Sequence, residues 1–291
     1  MVGIDSRTFE GLLSALEKSW LKEKDKQRFN SASIAITENS NYFSGFFGSS
    51  THLLDISSEQ AATIMAVSNK DPVIEKIVTL ISGNFTPDPI VIKFLIDHSK
   101  RTVKDIEYCV IDREEKEIFS CKNISDLMPF YKPEIGAMEK IKFWSPRPNK
   151  IPYNPAKPIS DQLRSAAKLG SETHFTSNTK TLYGSSVLSG KHIYFGGVYS
   201  CFDRRLSLHS EMVSCLSAIM DGNTNISNLG LISTKFVDSC PQCCGSCRQF
   251  LMEIQQKTKI PIKVHSFSFD EKNVFETKLD DYLPHSWNPD I

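Results

Sequence analysis

Cys243-Cys-Gly-Ser-Cys-Arg-Gln-Phe-Leu251, read together with His209-Ser-Glu211, decides how this chain is interpreted. Cys244 and Cys247 are spaced C-x-x-C where a helix begins. His209-Ser-Glu211 sits where the strand end Arg205-Leu-Ser-Leu208 runs into a helix over 210–219. A catalytic zinc ion needs three soft or borderline protein ligands and a fourth position open to water. His209, Cys244 and Cys247 have that character, and their places at helix N-termini favour deprotonated sulfur. One neutral imidazole and two thiolates balance the charge of the ion. Glu211 stands too close to His209 for a comfortable fourth ligand. It can reach a bound water, first as general base and then as general acid. A C-x-x-C alone is a modest signal and an H-x-E alone almost none, but in this order, between these elements, they are strong.

The neighbourhood of the motif occurs twice. Helical patterns open each half at Leu12–Phe29 and Ile159–Leu169. Hairpin-like strand pairs follow, Ser33–Thr37 with Tyr42–Phe47 and Tyr183–Leu188 with His192–Val198. A Ser-Glu pair then opens a helix, Ser57–Val67 against His209–Ile219. Strand, helix and strand come next: Ile74–Ile81, Val91–His98 and Asp105–Ile111 against Leu229–Phe236, Cys244–Gln256 and Ile260–Phe267. Each half closes on a Pro followed by Pro-acid-Ile, 70 residues after Glu59 and 73 after Glu211. Such ordered agreement points to a tandem duplication of one α/β domain rather than a single large one. The expected division is a first domain at 1–144, a linker at 145–158 and a second domain at 159–291. The linker holds five prolines and shows neither helical nor strand periodicity.

Composition narrows the function classes. Thirty-four basic residues cancel thirty-four acidic ones in 291, which lends no support to nucleic acid or an anionic membrane as partner. No basic-then-apolar leader opens the chain, and the best apolar run, Pro89–Ile96, is broken by Lys93. A cytoplasmic, reducing setting is therefore expected. There the crowding of four of the eight cysteines into residues 240–247 reads as metal binding or catalysis before disulfides.

The order H-x-E followed by C-x-x-C is that of zinc deaminases. Cys244-Gly-Ser-Cys-Arg-Gln-Phe-Leu251 resembles the Pro-Cys-Gly-x-Cys-Arg-Gln motif of the cytidine deaminase superfamily, and Tyr282–Ile291 is similar to its Leu-Leu-Pro-x-Ser-Phe-x-Pro ending. The resemblance is greatest to the two-domain members, whose ligands are one histidine and two cysteines. It implies a three-layer α/β/α fold with a mixed sheet, a Zn2+ cofactor and hydrolysis of an aminopyrimidine nucleoside such as cytidine or deoxycytidine. Water would add at C4, Glu211 would protonate N3 and ammonia would leave. The backbone near Ser210 would hold the pyrimidine O2, and the carbonyl near Gln242 the amino group. A role in pyrimidine salvage and a homodimer of chains, with the two halves acting as a pseudo-dimer, belong to the same implication.

Three departures qualify that implication. Cys243 stands where the family has proline, so Cys240-Pro-Gln-Cys243 forms a competing pair, but the Gly-x-Cys-Arg-Gln context and the following helix attach to Cys244 and Cys247. The family's ribose-binding Asn-x-Glu falls on Val198 and Ser200, and its stacking phenylalanine falls near Tyr183. Loss of buried polar partners weakens discrimination. A deaminase of a modified nucleoside or of a nucleic-acid base, or a non-catalytic zinc-stabilised binding protein, therefore competes with the leading reading. Asp203, Arg204 and Arg205 could reach a modified sugar or a phosphate. In the first half the ligand positions fall on Ser57, Asp88 and Val91, with Glu59 retained. Valine cannot ligate zinc, so that half is expected to be silent. His52, His98, His174, His192, His265 and His285 are read as ordinary histidines.

Overall fold

The computed structural model describes residues 4–20, 30–49, 54–82, 85–176 and 181–283. The chain divides into two compact units, one comprising 1–48, 55–147 and 201–206, the other 49–54, 148–200 and 207–291. Among the described residues no helix is long and apolar enough to cross a membrane.

The first unit opens with α1 (Ser6–Glu17), capped where the Asp5 side chain accepts from Thr8 N at 2.7 Å. The expected helix over 12–29 therefore starts earlier and ends at Glu17. Trp20 N donates to Phe46 O at 2.7 Å, which takes the chain out of helical register, and residues 21–29 lie outside the described residues. β1 (Ser31–Thr37) and β2 (Asn41–Gly45) form the hairpin, followed by α2 (Ser58–Ser68), β3 (Ile74–Ile81), α3 (Pro89–Thr102), β4 (Glu107–Ile111) and β5 (Glu117–Cys121). The sheet order is β2-β1-β3-β4-β5, with β3 and β4 parallel across the α3 crossover and the other pairs antiparallel. Alternation along each strand separates two faces. Ala32, Ile34, Val78 and Leu80 pack with Leu12 and Leu16 of α1. Ser33 and Thr79 point the other way, toward Ser58 and Glu59 of α2.

The second unit repeats this plan. β6 (Lys150–Pro152) precedes α4 (Ile159–Ser171), β7 (Tyr183–Ser189), β8 (His192–Gly197), α5 (Ser210–Met220), β9 (Ile226–Ser233), α6 (Gly245–Thr258), β10 (Lys263–Phe267), β11 (Val274–Lys278) and α7 (Leu279–Tyr282). Its order, β11-β10-β9-β7-β8-β6, contains the same five strands plus β6 at the edge. Even the register irregularity recurs, at Ile36/Thr37 and at Leu188/Ser189. Leu163, Ala166 and Ala167 of α4 cover one face, packing with Phe195, Ile232 and Phe267. The Ser185 hydroxyl meets that of Ser214 in α5 on the other face, at 2.7 Å. The fold is thus mixed α/β, with helices on both faces of two mixed sheets. Gly190, at φ +59°, supplies the positive φ of the two-residue β7–β8 turn. Gly184 is needed for another reason: a Cβ there would run into the Ala167 carbonyl oxygen and the Ser171 amide.

Three further details depart from the sequence reading. β9 begins and ends three residues earlier than the expected Leu229–Phe236, because Ile226 pairs with Ser189 and the chain turns at Thr234. Strand β6 lies within the proline-rich 145–158 stretch, where Lys150–Pro152 adds to the edge of β8 and Pro152 ends it. The outer strands β5 and β11 carry few buried side chains, so no apolar alternation announces them.

Candidate metal centre

The crossover topology brings two helix N-termini of the second unit to one place. His209 is the N-cap of α5 and Cys244 the N-cap of α6, and Cys247 follows within the first turn of α6. His209 Nδ1 lies 3.3 Å from the sulfur of Cys244 and 3.3 Å from that of Cys247. All three donor atoms fall within 4.8 Å of one another. Tetrahedral zinc with Zn–S near 2.3 Å and Zn–N near 2.1 Å sets its donors roughly 3.5–4 Å apart, so this donor set fits the ion in number, chemistry and spacing. Neither His209 nor Cys244 makes a side-chain cap hydrogen bond. Their side chains are turned toward each other instead.

The electrostatics follow from the crowding. A hydrogen bond from Cys247, then one from His209, lowers the Cys244 thiol to about 3, which makes it a thiolate. Cys247, donating to that thiolate and buried, is pushed well above the usual thiol range. His209 is raised, chiefly by its hydrogen bond with Cys244. Helix dipoles add to the preference for negative sulfur.

Glu211, in the first turn of α5, is 4% exposed, and the Ser210 hydroxyl donates to its Oε2 at 3.0 Å. Tyr183, the first residue of β7, faces the same region. Its ring meets Phe236 edge-on at 6.4 Å, and its hydroxyl is raised by burial, with the charge of Glu211 contributing. Gln242 is exposed, with its Oε1 accepting from the Tyr282 hydroxyl at 2.5 Å. Val198 and Ser200 flank buried Tyr199, and their backbones bond Phe175 at 2.8 and 2.9 Å. Neither of their side chains makes a hydrogen bond to the His209 cluster. Cys240 and Cys243 also lie outside it.

The equivalent positions of the first unit do other work. Ser57 caps α2 through a full capping box with Gln60, Asp88 caps α3 by accepting from Ile90 N at 2.8 Å, and Val91 is buried. Glu59 accepts from Tyr108 at 2.9 Å and from Thr79 at 3.0 Å. Ser33 joins Ser58 and Thr79 in the same buried hydroxyl network, at 2.8 Å to each. Among the described residues no second group of three metal donors converges. His98 is buried with Nε2 donating to Pro72 O at 2.7 Å, and His265 bridges Glu276 and Asn228. His52 and His285, and the closing motif from Pro284 onward, lie outside the described residues.

Sequence reasoning missed two features. The thiol of Cys243 is buried beside Glu211, and burial, then that carboxylate, pushes it well above the ordinary range. Arg248 stacks on Tyr282, its guanidinium 3.8 Å from the ring centroid. The signal available was Tyr282 standing where the closing motif has leucine.

No family model and no curated protein matches the chain. Among solved structures, cytidine deaminase from Burkholderia pseudomallei is similar over 44% of this chain and 98% of its own, at 20% identity and TM-score 0.39. The enzyme from Mycobacterium tuberculosis is similar over 45% and 99%, at 18% identity and TM-score 0.37. That from Mycobacterium leprae is similar over 44% and 100%, at 15% identity and TM-score 0.36.

Proposed function

We propose that this chain is a zinc-dependent hydrolase that deaminates a cytidine-like aminopyrimidine compound and releases ammonia. The observation that carries the reading is the convergence of His209, Cys244 and Cys247 beside a buried carboxylate, Glu211, on the same helix turn as His209. A structural zinc site closes with a fourth protein ligand and has no use for a proton shuttle.

Bound zinc would supply an acidified water as nucleophile. Glu211 takes the water proton and returns it to the ring nitrogen beside the carbon that bears the amino group. The Ser210 hydroxyl holds that carboxylate in one orientation from 3.0 Å. The first-turn amides of α5, which no His209 side-chain bond caps, offer donors for a ring carbonyl oxygen. Tyr183 gives the ring an aromatic wall, and the carbonyl of Gln242 an acceptor for the departing amine.

A second reading concerns the sugar. Val198 and Ser200 offer neither amide nor carboxylate where the related motif would grip a ribose, which favours a nucleoside with an altered sugar.

Ammonia release from zinc-loaded protein tests both readings, with cytidine, deoxycytidine, cytosine and sugar-modified cytidines as substrates and Glu211→Ala as blank. Release that falls by roughly 10²–10⁴-fold in Glu211→Ala, with zinc retained, is expected. Undiminished release in that variant sinks the role of Glu211, and silence with every substrate from zinc-bound protein overturns the deaminase reading.

A further inference from the structure

Residues 240–247 offer two C-x-x-C pairs, yet only Cys244 and Cys247 face His209. Cys243 directly precedes a ligand, carries a thiol and is 1% exposed, so something must keep it from the metal. Both of its peptide groups are held. Its N–H donates to the Tyr282 hydroxyl oxygen at 2.9 Å, and its carbonyl accepts from Arg248 Nε at 2.8 Å. The two holders are locked to each other. Arg248 lies over the Tyr282 ring, and its second nitrogen donates to the Tyr282 carbonyl at 3.3 Å. The Tyr282 hydroxyl donates onward to Gln242 Oε1 at 2.5 Å, fixing the preceding residue as well. With both flanking peptide planes fixed, the Cβ of Cys243 has one direction, and its sulfur sits beside Glu211.

The consequence is chemical. One histidine and two thiolates leave zinc a position for water, whereas one histidine and three thiolates make the closed set of structural sites. We propose that the Arg248–Tyr282 clasp selects the metal ligands, excluding the Cys243 thiol so that the fourth position stays open. Arg248 and Tyr282 act through Cys243 and are positioning residues. The proposal rests on the zinc reading of His209, Cys244 and Cys247.

Cobalt substitution of the full chain tests it, since thiolate-to-cobalt absorption counts the sulfurs. Tyr282→Phe removes the hydroxyl while keeping the ring, and Arg248→Gln removes the stack and the carbonyl contact. In both variants the absorption is expected to rise by about half, from two thiolates toward three, and zinc transfer to a chelator to slow about tenfold. Adding Cys243→Ser to either variant should restore the wild-type spectrum. Clasp variants with the wild-type spectrum overturn the proposal. Should Arg248→Gln fail to fold, Tyr282→Phe, one oxygen smaller, decides alone. A wild-type chain that binds no cobalt, or whose absorption survives Cys244→Ser with Cys247→Ser, removes the metal reading itself and the proposal with it.

Discussion

Ser57 and His209 occupy the same place in their respective repeats, at the N-cap of the helix that covers the inner strands, yet only Ser57 caps its helix. Its hydroxyl accepts from Gln60 N at 3.1 Å, and the Gln60 side chain accepts from Ser57 N at 3.1 Å. His209 makes no such bond and turns its imidazole to two sulfurs. The same exchange separates Asp88, which caps, from Cys244, which does not. In the first repeat the helix ends stabilise the fold. In the second the N-cap side chains are instead turned into a cluster of soft ligands.

Opposite effects of two substitutions follow. Ser57→Ala should cost about 1 kcal/mol, the usual loss of an N-cap, with zinc content unchanged. His209→Ala should lose no cap bond, while zinc falls from about one per chain to a small fraction of that. Urea denaturation and metal analysis of the two proteins, side by side, check both statements.

Glu59 keeps the position of Glu211 but is surrounded by donors that fill the space, above all the Tyr108 and Thr79 hydroxyls. Glu59→Ala leaves those buried hydroxyls without their acceptor, at a cost of about 1–3 kcal/mol. Zinc content and ammonia release per folded molecule should stay at wild-type levels. A parallel loss of zinc would mean that the first repeat takes part in the metal centre.

His98 makes stability depend on pH. Burial, together with the charge of Arg101, lowers its pKa to about 4 in the folded chain, although its bond to the Pro72 carbonyl opposes the shift. The unfolded chain takes up that proton near pH 6.5, so the contribution is whole above pH 6.5 and is lost as pH falls toward 4, by about 3 kcal/mol in all. His98→Gln should therefore lose less of its stability than wild type between pH 6.5 and pH 4.5. Urea midpoints at both pH values measure the difference, and equal losses in the two proteins would rule the effect out.

Much of the second-repeat site is legible in sequence because its chemistry is local. Cys244 and Cys247 are one helical turn apart, and His209 and Glu211 straddle the start of one helix, so spacing alone places them. Helix periodicity and strand alternation likewise expose the repeat. The exposed outer strands β5 and β11 carry no such alternation and stayed hidden. The hydroxyl donors around Glu59 were equally hidden, since Tyr108 comes from a strand 49 residues away.

By itself, then, the sequence determined the two-repeat α/β plan and the pair of helix starts that carry histidine, glutamate and cysteine, because these depend on residue type and short-range spacing. It offered two C-x-x-C pairs and favoured Cys244 and Cys247, to which the Gly-Ser-Cys-Arg-Gln run and the following helix attach. Tertiary structure brings His209 to Cys244 and Cys247, while the Cys243 peptide groups are held by a hydrogen bond from Arg248 and one to Tyr282, 39 residues further on. Side-chain direction at a loop residue depends on which distant groups hold its peptide planes, and no local pattern encodes that.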